Sequence, residues 1–136
     1  MLKLRLRVRR KDQKISRDIE AIANSGFSGT KPQLLIPRSI AEVFKFREMT
    51  EPKIVNKRTA DGRIVSFISY GEAAYVRVIT EDMKSPEVLV DVLVGSPIAL
   101  MNDALISALK VVIVDPKDGI WCFRDELGKR MRKGIT

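Results

Sequence analysis

Asn24-Ser25-Gly26, at the end of the apolar run Ala21-Ile22-Ala23, is the stretch whose residue types come closest to a reactive turn. Small polar side chains followed by glycine favour a tight turn that presents an amide and a hydroxyl. An amide hydrogen-bonds as donor and acceptor, but it neither takes up nor releases a proton near neutral pH. The other reactive groups are few. The chain has no histidine and a single cysteine, Cys122, which removes Ser–His and Cys–His nucleophile pairs and imidazole zinc sites. Cys122 lies between Trp121 and Phe123 and reads as a packed or edge thiol rather than a nucleophile. Asp91, Asp103 and Asp115 are the carboxylates that could stand in as catalysts, Asp91 from inside an apolar strand. None has a second acid at a recognisable spacing. No metal-ligand set or cofactor motif is visible, so neither metal nor cofactor is expected.

The elements that must position the turn are mostly strands. Leu2, Leu4, Leu6 and Val8 alternate with Lys3, Arg5, Arg7 and Arg9, the period of a half-buried strand. Residues 14–23 form a second strand after the polar turn Lys11-Asp12-Gln13, and Leu34-Leu35-Ile36 forms a short third one. Ile40, Ala41, Val43, Phe44 and Phe46 recur at helical spacing after Pro37, which predicts a helix over 38–46. Lys53–Thr59 and Arg63–Tyr70 flank Asp61-Gly62, a strong hairpin-turn dipeptide. Ala73–Thr80 and Glu87–Val94 continue the sheet, with Gly71-Glu72 and 81–86 as connectors. Residues 97–110 fit either a helix opened by Ser96-Pro97 or a shorter helix from about 102 after an extended segment. Val111–Val114 and Ile120–Phe123 are strands around a turn at 115–119. The basic tail, about 125–136 and including Lys129, Arg130, Arg132 and Lys133, is expected to fray.

Length and composition set the frame. A chain of 136 residues with 45% apolar content suits one domain. No apolar run is long enough to cross a bilayer, and the alternating N-terminus lacks a signal peptide's apolar segment. The expectation is a soluble, cytoplasmic protein without membrane association, and the single cysteine favours a reducing compartment. A net charge of +8 favours anionic partners without choosing among them. Nucleic acid is one such partner, though no base-reading motif or set of stacking aromatics accompanies the charge. The row from Lys3 to Arg9 reads first as the wet face of a strand.

In order and spacing, four stretches resemble the retropepsin-like aspartic proteases, especially small archaeal and bacterial members with an Asp-Thr-Gly-Phe turn. They are Ala21-Ile22-Ala23-Asn24-Ser25-Gly26-Phe27-Ser28-Gly29, Leu35-Ile36-Pro37-Arg38-Ser39-Ile40-Ala41-Glu42 and Thr59-Ala60-Asp61-Gly62-Arg63. The fourth is Val92-Leu93-Val94-Gly95 through Leu109 and on to Ile113-Val114-Asp115-Pro116. The resemblance covers roughly residues 15–120. It implies a small closed β-barrel of the retropepsin type with two short helices, and a homodimer in which each subunit brings one turn to a shared site. It also implies Asn24, Ser25 and Gly26 as the degenerate catalytic turn. Phe27 would contact a bound peptide, and Ala60, Asp61 and Gly62 would form the tip of a flap over it.

Two departures matter. Asn24 stands where that family has its catalytic Asp, and Leu100-Met101-Asn102 stands where it has an apolar-apolar-Gly segment. Aspartic proteases need two carboxylates sharing a proton, one activating water and the other protonating the scissile group; two Asn24 amides cannot do this. Asn24 then reflects a natural loss of activity, an Asp-to-Asn change trapping an active endopeptidase, or a coincidental turn in an unrelated barrel. Three functions follow: a peptide-binding or interaction module on a protease scaffold, an aspartic endopeptidase in inactive form, or a small basic nucleic-acid-associated protein.

Overall fold

The computed structural model describes residues 1–24, 26, 29–59 and 61–135. Its centre is a mostly-β, closed six-stranded barrel. In chain order the strands are β1 (Lys3–Arg10), β2 (Ser16–Ala23), β3 (Gln33–Ile36), β4 (Lys53–Arg58), β5 (Ile64–Val78), β6 (Val88–Val94) and β7 (Leu100–Met101). Helix α1 (Arg38–Phe44) follows β3 and α2 (Asp103–Ala108) follows β7. Around the barrel the order is β1-β2-β7-β3-β6-β5, and β5 closes it by pairing with β1; β4 extends from β5 as a hairpin. A small second sheet holds β8 (Val111–Asp115), β9 (Ile120–Phe123) and β10 (Arg132–Lys133).

The alternation in β1 does what its period requires: Leu2, Leu4, Leu6 and Val8 are buried in the main core. The outward cations meet carboxylates. Lys3 pairs with Glu20, Arg7 with Asp18 and Arg9 with Glu87. The inward face of β1 ends on a charge, because Arg10 is only 3% exposed. Its guanidinium bonds Asp12, Glu48 and the carbonyls of Phe44 and Lys45, tying the first hairpin to the end of α1. That helix stops at Phe44 rather than at 46, because Lys45 turns left-handed (φ 50°) and a 3₁₀ turn follows over Phe46–Glu48. The turn stacks Phe46 on Phe44 with centroids 5.2 Å apart.

Two further expectations are corrected. Gly71-Glu72 is not a connector: β5 runs through it as one strand of fifteen residues. The register against β6 shifts between Tyr70 and Ala74, and Asp91 accepts the Glu72 N–H (2.8 Å) at that irregularity. A bulge of this kind bends the strand, so the first half of β5 pairs with β4 while the second half closes the barrel on β1. The basic tail is not frayed. Arg132 and Lys133 pair with Trp121 and Ile120 of β9, and the Ile135 N–H donates to the Lys3 carbonyl (2.8 Å). The Arg132 guanidinium bonds Glu126 and Asp82 and lies over the rings of Trp121 and Phe123. Gly134 is required there, since a Cβ would sit 2.7 Å from Leu2 Cδ1 and 2.8 Å from the Lys3 carbonyl oxygen.

Strands β2, β7, β3 and β6 carry the site. β2 and β7 are parallel, β7 and β3 antiparallel, and β3 and β6 parallel. The link from β2 to β3 therefore straddles β7, and the link from β6 to β7 straddles β3. This interlock places the end of β2 beside the end of β7, with Ala23 and Met101 as Cα partners.

Candidate functional site

The residue-24 turn leaves the barrel beside the N-terminus of α2. The Asn24 N–H donates to the Met101 carbonyl (3.1 Å), continuing the β2–β7 ladder by one bond. The Asn24 Oδ1 accepts the Gly26 N–H (3.0 Å), an Asx turn closed over two residues. A Cβ on Gly26 would stand 3.1 Å from that oxygen, so the position favours glycine. Ser25, Phe27 and Ala60, three of the residues assigned from sequence, lie outside the described residues.

Asn102 is the polar centre behind the turn, and sequence reasoning missed its role. It is fully buried. Its Oδ1 accepts the N–H groups of Gln33 and Leu105, each at 2.9 Å, and its Nδ2 donates to the Lys31 carbonyl (2.9 Å) and to Gln33 Oε1 (3.4 Å). One side chain thus caps α2, anchors the start of β3 and holds the segment leading out of the residue-24 turn. Asn preceding Asp-Ala-Leu-Ile is an N-cap signature that could have marked the helix start; the bonds to 31 and 33 leave no trace in sequence. Gly29 is the small residue beside Asn102, because a Cβ there would meet Asn102 Nδ2 at 3.1 Å and Gln33 Oε1 at 3.4 Å.

The β4–β5 hairpin covers this region. Val55 and Phe67 on one of its faces pack with Leu35, Leu93 and Leu100 into a small apolar cluster separate from the main core. Lys57, two residues beyond Val55 on the same face, reaches the turn: its Nζ lies 3.6 Å from the point where a Gly29 Cβ would stand. Burial pushes the Lys57 amine below the usual lysine range, and the charge of Asp103 pulls the other way. The hairpin tip is well formed. The Thr59 N–H donates to the Arg63 carbonyl (2.7 Å), the Gly62 N–H donates to the Thr59 carbonyl (3.0 Å), and Gly62 takes φ 86°. Asp61 accepts from the Thr59 hydroxyl, the Arg63 N–H and the Arg63 side chain, and these bonds hold its carboxyl below the usual range.

The other nominated carboxylates have local duties. Asp103 accepts the Ala104 N–H at the start of α2. Asp115 accepts the Lys117 and Asp118 N–H groups in the β8–β9 turn, and Asp91 holds the β5 bulge. Cys122 is buried, and that burial pushes its thiol pKa up, away from nucleophilic use. Among the described residues, no group of three or more His, Cys, Asp or Glu is placed to hold a metal ion. Nor is any helix among them long and apolar enough to cross a membrane. No family model matches the chain, and no curated protein matches it.

Proposed function

We propose that this protein is a peptide-binding or interaction module on a retropepsin-like scaffold, homodimeric through its residue-24 turns, with Asn24 in place of the acid that would activate water. The observation that carries the reading is the position of Asn24. It follows Ala23 directly, is tied by its N–H to β7 beside the α2 N-terminus, and stands on the side of the sheet that the β4–β5 hairpin covers. A closed barrel with one helix after β3 and another after β7 supports the same reading. The amide can hydrogen-bond a peptide but cannot shuttle protons; general acid–base groups contribute roughly 10²- to 10⁴-fold each, so turnover is not expected.

Sedimentation equilibrium tests the assembly: a dimer is expected, and a strict monomer at high protein concentration would remove the shared site. Asn24→Asp tests the scaffold. Two such carboxylates face to face would share one proton and cleave an unstructured protein at acidic pH, whereas the chain as it stands leaves that protein intact. Cleavage by the unaltered protein would overturn the non-catalytic reading. An Asn24→Asp protein that forms dimers but cuts nothing would remove a latent endopeptidase and leave binding alone.

A further inference from the structure

On the opposite face of the β4–β5 hairpin, α1 and the 3₁₀ turn enclose an open groove of about 580 Å³, within the roughly 300–1,000 Å³ of small-molecule sites. Ala41, Phe46, Ile68, Tyr70 and Val94 make its floor. Arg38, Lys45 and Arg47 line its rim, and none of the three holds a carboxylate among the described residues. Two acids also border the groove. Glu48 is bonded by Arg10 (2.7 Å), whose single charge Asp12 also shares (2.8 Å), so the three cations face Glu42 and part of the Glu48 charge.

The groove has a polar end and an apolar exit. Arg47 Nε donates to the Tyr70 hydroxyl (3.3 Å), and among the described residues its two terminal nitrogens make no other bond, which leaves them as a fork. Ile68 lies two residues along the strand from Tyr70 on the same face, about 7 Å away. Its Cα partner across the hairpin is Ile54, which is 71% exposed. An apolar track therefore leads from the cationic rim past Ile68 to Ile54. We propose that this groove binds an aliphatic carboxylate, its head on Arg47 near Arg38 and its chain laid along Ile68 toward Ile54. A guanidinium fork matches a planar carboxylate in a two-point bond. One cluster of cations beside an apolar floor fits a single-headed amphiphile better than a polymer of evenly spaced phosphates.

Calorimetric and methyl-NMR titration of the full chain with decanoate, decanol, decyltrimethylammonium and hexanoate tests this. Decanoate is expected to bind roughly tenfold or more tightly than the neutral or cationic analogue and to shift Ile68 and Val94 signals. Arg47→Glu should weaken decanoate about tenfold. Arg38→Glu, on the same rim but not bonded to Tyr70, should weaken it by a smaller factor while circular dichroism stays unchanged. Ile54→Ser should reduce the preference for decanoate over hexanoate by roughly threefold and leave hexanoate unaffected. Equal binding of the three decyl compounds, shifts confined to other parts of the barrel, or an unaltered affinity in both rim variants would each overturn the proposal. So would groove signals that ignore decanoate but move with protein concentration, since the groove would then be a self-association face.

Discussion

Asn24 and Asn102 follow Cα-partner residues at the ends of two parallel strands, yet their amides do different work. Asn102 is buried and spends donor and acceptor on three chain segments. Asn24 is half-buried and, among the described residues, its side chain bonds only the Gly26 N–H two residues away. Buried polar groups must be satisfied or they destabilise the fold. The Asn102 amide is therefore committed to structure. Among the described residues, the Asn24 Nδ2 makes no bond, and its oxygen is engaged only by the Gly26 N–H. Two residues of one type, one register step past the same strand pair, divide into a staple that joins distant segments and a group that closes its own turn, because of what surrounds them.

The largest effect expected from breaking this contrast is at the staple. Asn102→Ala strands the Gln33 and Leu105 N–H groups without their acceptor and should cost about 4 kcal/mol, read as a lowered urea midpoint at unchanged slope. Arg132 is the second saturated group, and its ion pair with Glu126 is nearly dry, with side chains 8% and 9% exposed. Arg132→Ala should cost about 3 kcal/mol in the same assay and release the tail to faster amide exchange.

Acid titration sharpens the comparison next. Arg132 holds Glu126 and Asp82 below the usual carboxylate range, and Arg10 does the same to Asp12 and Glu48. Because the folded values lie below the unfolded ones, this stabilisation is present at neutral pH and persists down to about pH 4. It is lost as pH falls further through the folded values. Urea midpoints should hold between pH 7 and 5 and drop below about pH 4, less steeply in Arg132→Ala. The smallest effect is at the residue-24 turn. Asn24→Ala should change stability by no more than about 0.5 kcal/mol, and under the proposed function it removes peptide binding. A loss as large as that of Asn102→Ala would erase the distinction between the two amides.

Parts of this division were legible beforehand. The alternation of β1, the Asp61-Gly62 hairpin and the two short helices follow from local periodicity and turn chemistry. The shorter α2 was one of two readings, and the Asn102 cap selects it. Arg10 resisted sequence reading because an arginine ending an alternating strand looks solvent-facing, and apart from nearby Asp12 its partners Phe44, Lys45 and Glu48 lie at and just after the end of α1. The tail misled for the same reason: Arg130 and Arg132 look like flexible cations until Asp82, nearly fifty residues away, is folded against them. Lys57 gave no signal at all, since only the hairpin's packing on Leu35 and Leu93 decides which of its faces looks toward the turn.

Local pattern determined strand periods and turns, because each depends on residues within a few positions of one another, and composition alone removed imidazole chemistry. The same sequence also placed an amide, rather than an acid, in the residue-24 turn. Tertiary structure alone decided which amide is saturated, which cations are neutralised, and how one long β5 serves both hairpin and barrel. Those outcomes depend on partners tens of residues apart, brought together only when the interlocked strands close.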